Sequence, residues 1–342
     1  MLWTQPDGDR AASLHRLHNG GCRHARAACR QPECYTRCYA HYANRGIKLT
    51  VIGSNISWTN STWNLATGCT KVSDGCDHCY AEELVNRIKT TFKRPFSEVV
   101  LHMDRLSHVR KFKPLPSPDG PKPHLVFVNS MSDFWHDAIS ERDIHRALDV
   151  MEDAEGAIFQ ILTKRPIRAR RLLVERYRGP GVGIPKHIWI GVSTEDNRVA
   201  VRLNIMRSIR ERVGDVVLFA SVEPIVGPTD KLDFSGIEWV ITGGESGPHA
   251  RKMERLWLMD ALERAQQAEA AIWHKQSGHI RSHPNIREVP SQLIRPADQM
   301  RWLREHGWEL LPHEKGGATV DRQTYRQLPR AYQEVKAALS LV

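Results

Sequence analysis

Short apolar runs rich in Val, Ile and Phe alternate with charged, amphipathic stretches from Leu125 onward. The runs are Leu125–Asn129, Ala157–Thr163, Ile188–Ser193, Val216–Ser221, Trp239–Thr242 and Ala271–Trp273. They are too short for helices and rich in β-branched and aromatic residues, so they read as strands. Between them, Glu141–Glu152, Ile167–Tyr177, Arg198–Arg212 and Leu256–Glu269 carry apolar residues at helical spacing. Strands alternating with helices predict parallel βαβ units. A first strand near Ser61–Leu65 would make seven units, which suits a complete or partial (β/α) barrel. Periodicity alone does not settle closure.

Each run ends in polar residues. These ends are Asn129-Ser130-Met131-Ser132-Asp133, Thr163-Lys164-Arg165, Ser193-Thr194-Glu195-Asp196, Ser221-Val222-Glu223-Pro224, Gly243-Gly244-Glu245-Ser246-Gly247 and His274-Lys275-Gln276-Ser277-Gly278. In a (β/α) barrel the active site is built from that face. One such tail is an ordinary loop, but six in succession mark a functional rim. Ser130, Asp133, Lys164, Ser193 and Glu223 are the expected cofactor-binding side chains, and Glu245 and Lys275 the catalytic candidates. Trp58, Trp63, Trp135 and Trp189 are expected to pack rather than to stack on a ligand.

Between the first two strands lies the sequence Gly68-Cys69-Thr70-Lys71-Val72-Ser73-Asp74-Gly75-Cys76-Asp77-His78-Cys79-Tyr80-Ala81-Glu82. Cys69, Cys76 and Cys79 follow C-x6-C-x2-C, hinged by Gly68 and Gly75, with a helix expected after Cys79. Three thiolates on one loop can hold three corners of an iron–sulfur cluster and leave one iron without a protein ligand. A structural zinc takes four protein ligands, one more than the triad supplies. His78, adjacent to Cys79, is poorly placed to complete such a site.

This loop resembles the cluster loop of radical S-adenosylmethionine (SAM) enzymes, whose usual spacing is C-x3-C-x2-C with an aromatic residue after the last cysteine. Cys76-x2-Cys79-Tyr80 matches the second half, and the first gap is three residues longer. The longer spacing resembles a phage-encoded three-cysteine-motif family. That likeness extends to Trp58-Thr59-Asn60-Ser61-Thr62-Trp63-Asn64, Thr163-Lys164-Arg165-Pro166, Gly243-Gly244-Glu245-Ser246-Gly247, Lys275-Gln276-x-Gly278 and the closing Lys315-Gly316-Gly317 and Leu328-Pro329. The resemblance implies a barrel of radical SAM type, a [4Fe–4S] cluster on Cys69, Cys76 and Cys79, and SAM at its open iron. It also implies hydrogen abstraction by a 5′-deoxyadenosyl radical, with an electron donor to reduce the cluster.

Residues 1–53 differ in character: polar, Arg-rich, with Cys22, Cys29, Cys34 and Cys38. Four thiolates can bind zinc or a second iron–sulfur cluster. Residues 54–278 then form the barrel, and 279–342 hold an insertion, with a short helix over Ala297–His306, and the closing segment.

The seven cysteines lie in two close-spaced groups, which favours metal ligation in a reducing compartment over a disulfide framework. No run of about 18 apolar residues occurs, so a cytoplasmic protein without membrane contact is expected. The net charge of +10 favours an acidic partner, most simply nucleic acid or a modified nucleotide. The arginines of 164–178 and 202–212 are expected to form a cationic flank beside the barrel mouth. Two other readings remain open: a non-enzymatic, zinc-stapled nucleic-acid-binding protein, and a Mg²⁺ nuclease using Asp133, Glu195 and Glu223.

Overall fold

Seven parallel strands with helices packed on their outer face form the body of the protein in a computed structural model. The structure describes residues 51–52, 54, 56–88, 94–246, 249–276, 292, 301–302, 319–320 and 323–341. All of them belong to one compact unit, Leu49–Val342. Cys22, Cys29, Cys34 and Cys38, Gly247, Gly278, Lys315–Gly317 and, apart from the helical residues 301–302, the expected helix at Ala297–His306 lie outside the described residues.

The parallel strands are β2 (Ser61–Trp63), β5 (His124–Val128), β6 (Ala157–Thr163), β7 (Ile188–Ser193), β8 (Leu218–Val222), β9 (Trp239–Gly243) and β10 (Ala271–Gln276), neighbouring in that order. The short β1 (Val51–Ile52) adds an antiparallel edge beside β2. Two small ribbons, β3 (Ala66–Thr67) with β4 (Val100–Leu101) and β11 (Thr319–Val320) with β12 (Gln323–Thr324), stand apart from the sheet.

Helices α1 (Tyr80–Arg87), α2 (Glu141–Glu152), α3 (Pro166–Tyr177), α4 (Val201–Val213) and α5 (Arg255–Gln267) follow strands in turn, and α6 (Arg330–Leu339) ends the chain. Local chemistry sets their limits. The Ser140 hydroxyl accepts from Asp143 N at the start of α2. Pro166 opens α3, where its missing N–H costs nothing. Gly214, at φ +80, ends α4.

The strands read as near-continuous apolar runs because both faces are buried. Outward residues such as Phe159, Ile161, Ile190, Val192, Ala220 and Val240 pack on Ala169, Leu172, Leu203 and Leu262 of the helices. Inward residues Phe127, Ile158, Trp189, Phe219, Trp239 and Ile241 form a second, largely aromatic core with Trp58. Gly191 makes room there: a β-carbon on it would lie 2.3 Å from the Phe219 ring. Ala331, Tyr332 and Val335 of α6 join this inner core, so α6 closes the N-terminal end of the barrel.

The barrel is partial. Among the described residues no ladder joins β10 to β1 or β2. The outer edge of β10 instead pairs with the segment before α6, with Gln327 N donating to Ile272 O and His274 N to Tyr325 O. Trp273 Nε1 donates to Ser57 Oγ at 3.1 Å, tying β10 to the turn that precedes β2. The fold class is therefore α/β, an incomplete (β/α) barrel with polar residues gathered at the C-terminal ends of its strands. Among the described residues no helix is long and apolar enough to cross a membrane.

Candidate functional site

The cysteine loop is fastened to the neighbouring strand end as soon as it leaves the sheet. Asn64 Oδ1 accepts from Met131 N and Ser130 Oγ, both at 3.1 Å. Gly68 N donates to Met131 O, and Ser132 Oγ donates to Gly68 O. Gly68 has φ +97, and a β-carbon there would lie 2.2 Å from Glu98 O, so only glycine fits. Cys69 N donates to Phe96 O at 2.8 Å. The chain then makes a 3₁₀ turn at Asp74–Cys76 and enters α1 immediately after Cys79. Cys69, Cys76 and Cys79 are half-buried, and Cys69 and Cys79 rest on an apolar patch of Ala81, Val85, Phe96 and Met131.

Three arginines from three other strand ends clamp this loop. Arg165, after β6, points Nη1 at Cys69 Sγ (3.6 Å) and donates from Nη2 to Thr70 O (3.0 Å) and Thr70 Oγ1 (2.8 Å). Arg198, after β7, pairs with both Asp196 and Asp74. Arg251, beyond β9, donates from Nη2 to Asp74 O (2.7 Å) and reaches Asp77 (3.4 Å). Each guanidinium is braced by a buried carboxylate, respectively Asp133, Asp196 and Glu245. Glu195 adds a fourth tie by accepting from Ser73 Oγ at 2.8 Å.

Burial pushes the Cys69 and Cys79 thiols up. The Asp133 carboxylate adds to the effect at Cys69, while Arg165 opposes it; at Cys79 the Glu82 and Ala81 amides oppose it. Both thiols are therefore neutral without metal, and a bound cation would displace their protons. No group of three His, Cys, Asp or Glu side chains among the described residues converges closely enough to hold one metal ion. A cluster makes no such demand, because each thiolate binds a different iron. Arg165 beside Cys69 and Lys164 near Cys79 bring positive charge that would offset the negative charge of the three thiolates.

Several expected cofactor residues meet at the mouth. Lys164 Nζ lies 2.9 Å from Ser193 Oγ and 3.1 Å from Glu195. Ser193 Oγ donates to Glu223 O at 3.1 Å, and the Glu223 carboxylate pairs with Lys275. A bulge between His274 and Gln276 aims Lys275 inward, and Gly243 leaves space beside Glu223, whose Cδ would lie 3.4 Å from a β-carbon there.

Ser130 and Asp133 are placed differently. The Ser130 hydroxyl faces Asn64, and Asp133 accepts from Thr163 Oγ1, Lys164 N and Arg165. Glu245, expected to face substrate, is 3% exposed and held by Arg251 through its N, Nε and Nη2 donors. The Gly-Gly-Glu segment thus positions the cysteine loop. Asp133, Glu195 and Glu223 pair with Arg165, Arg202 and Lys275 respectively and do not gather into a magnesium site.

The expected cationic flank takes another form. Arg168 donates to the carbonyls of Trp135, His136 and Ile139. Arg171 pairs with Glu141, Arg176 with Asp149 and Glu152, Arg207 with Asp233, and Arg210 with Glu238. These arginines stitch α3 to α2 and helices to loops, because acidic residues and backbone carbonyls stand on the neighbouring elements. The clamp residues Arg198 and Arg251 had no sequence signal; Arg165 lay within the Thr-Lys-Arg-Pro motif and was expected only as part of the cationic flank.

A family model described as a protein of unknown function (DUF5131) matches residues 53–329. The comparison with curated proteins finds no match. Among solved structures, spore photoproduct lyase complexed with dinucleoside spore photoproduct is similar at 14% identity and TM-score 0.42, covering 64% of each chain. A mutant of that lyase aligns over 85% of this chain and 75% of its own, at 12% identity and TM-score 0.41. Another, with bound AdoMet and dinucleoside spore photoproduct, aligns at TM-score 0.37 and 14% identity over 61% of this chain and 62% of its own. The present chain thus spans 64% of the length of the first of these structures.

Proposed function

This chain belongs to the DUF5131 family, and from that premise we propose that it is an iron–sulfur enzyme of the radical SAM kind. The observation that carries the reading is the placement of Cys69, Cys76 and Cys79 on one clamped loop, at the open end of a partial barrel, with a guanidinium against Cys69 Sγ. A [4Fe–4S] cluster held there would supply the electron that cleaves SAM to methionine and the radical that takes a hydrogen atom from substrate.

The chain's own residues provide binding, orientation and shelter. Lys164, Ser193 and Glu223 offer a cation, a hydroxyl and a carboxylate for the amino-acid and ribose groups of SAM. Ser130 and Asp133 contribute by ordering Asn64 and Arg165. Lys275 faces substrate, and Glu245 holds the loop through Arg251. The aromatic inner core and α6 keep water from entering by the opposite end.

A nucleic acid or modified nucleotide remains the proposed substrate class on the net charge of +10, and an external electron donor is required. Cys22, Cys29, Cys34 and Cys38 would form a separate zinc or iron–sulfur site; deleting residues 1–50 should remove that metal and spare the barrel.

Anaerobic purification and reconstitution test the reading directly. Brown protein with iron and sulfide is expected, and Cys→Ala at position 69, 76 or 79 should abolish cluster signal and SAM cleavage together. A colourless protein carrying stoichiometric zinc at these cysteines would instead establish the zinc-stapled binding protein.

A further inference from the structure

Resting on the reading of Cys69, Cys76 and Cys79 as cluster ligands, we propose that Arg165 sets the reduction potential of the bound cluster, with Asp133 as its counterweight. Arg165 Nη1 lies 3.6 Å from Cys69 Sγ, within reach of a hydrogen bond to sulfur. The side chain is only 10% exposed, so its charge acts in a medium that screens poorly. It cannot swing aside, because Nη2 is fixed on Thr70 O and Oγ1 and Nη1 on Asp133 Oδ2. Asp133 is fixed in turn: Thr163 Oγ1 and the amides of Lys164 and Trp135 donate to its carboxylate. At Cys79 the push of burial is opposed first by the nearby Glu82 and Ala81 amides, so Arg165 brings its cationic side chain to a different corner.

The physical consequence has a sign. Reduction adds one electron to the site, and a cation that donates to a ligand sulfur stabilises the reduced form more than the oxidised form. Arg165 therefore raises the potential, and the Asp133 carboxylate lowers it. Loss of Arg165 leaves Asp133 uncompensated beside the cluster, and loss of Asp133 leaves Arg165 uncompensated. The two substitutions should move the potential in opposite directions, which no common packing defect would do.

The experiment is a mediator titration of the full-length, anaerobically reconstituted protein, with cluster reduction by dithionite followed by electron paramagnetic resonance. Relative to the parent, Arg165→Gln should shift to a lower midpoint potential, Asp133→Asn to a higher one, and Arg165→Lys should fall between Arg165→Gln and the parent. Unchanged potentials, or shifts of the same sign in Arg165→Gln and Asp133→Asn, would overturn the inference while the cluster reading stands. If Arg165→Gln retains no cluster, Asp133→Asn decides: a higher potential supports the inference, and an unchanged or lower one overturns it. A parent protein that takes up no iron at these cysteines removes the underlying reading, a failure that shows in iron content before any potential is measured.

Discussion

Gly75 of the cysteine loop lies directly on the side chain of Glu195, so closely that a β-carbon on the glycine would fall 2.3 Å from Glu195 Cγ. Glu195 is buried and cannot retreat, because Arg202 holds one carboxylate oxygen at 2.9 Å and Lys164 the other at 3.1 Å. The strand end of β7 and the segment that carries Cys76 are thus in van der Waals contact through a position that has to lack a side chain. Gly75→Ala should displace the 3₁₀ turn at Asp74–Cys76. We expect cluster content after reconstitution to fall several-fold while the far-ultraviolet circular dichroism stays that of the parent. Full cluster content in this variant would show that the loop adapts without cost.

Arg251 joins Glu245 to Asp74 O and Asp77. Arg251→Ala should loosen the loop, making Cys76 and Cys79 react faster with a thiol reagent in the metal-free protein. Glu245→Gln, which keeps an acceptor but loses the charge, should give a smaller increase. Equal alkylation rates in parent and both variants would exclude this latch.

Gly191→Ala tests the inner core. The added methyl meets the Phe219 ring, which is fully buried among Trp239 and Trp189 and has no space to shift. Overpacking of this kind costs roughly 1–3 kcal/mol, read as a lower midpoint in chemical denaturation. An unchanged midpoint would mean that the strands part more easily than the packing implies.

His274 gives the fold a pH signature. It is fully buried, with Nδ1 2.8 Å from Thr242 Oγ1, and burial pushes its pKa from 6.5 down to about 3. The folded state therefore holds the neutral imidazole, whereas the unfolded chain binds a proton below pH 6.5. Stability is fully present above 6.5 and is lost as the pH falls toward 3, at up to about 1.4 kcal/mol per pH unit. Replacing His274 with Gln should reduce that slope between pH 6 and 4. A parent slope matched by the variant would place the acid sensitivity elsewhere.

Arg168, Arg170 and Arg171 are engaged with carbonyls, Ser208, and Glu141 and Glu175. The triple Gln variant should therefore lose thermal stability and leave the salt dependence of any nucleic-acid binding unchanged. A clearly shallower slope on a log–log plot against salt would show that these arginines reach phosphate after all.

Much of this architecture is written locally. The limits of β6, β7 and α2 coincide with the apolar runs and amphipathic stretch that predict them, because strands buried on both faces and a helix buried on one leave unambiguous periods. The loop of three cysteines, its glycine hinges and the polar strand ends are equally legible, since each depends on neighbours within a few residues. α6 was not legible as the barrel's floor: its apolar face acquires meaning only against Trp58, Trp189 and Trp239.

The roles of the charged residues were decided by the tertiary structure. Arg198 stands 124 positions from Asp74 and Arg251 stands 177 from it, so no local pattern announces either contact. Glu245 became a brace and the Arg-rich helices became internal stitching because their opposite charges arrive from other elements. A buried ion takes whichever counter-charge folding brings beside it, while an apolar residue needs only to be buried. Local patterning therefore specifies which elements form and where the chemistry gathers, while long-range packing assigns which charges hold the site and which face into it.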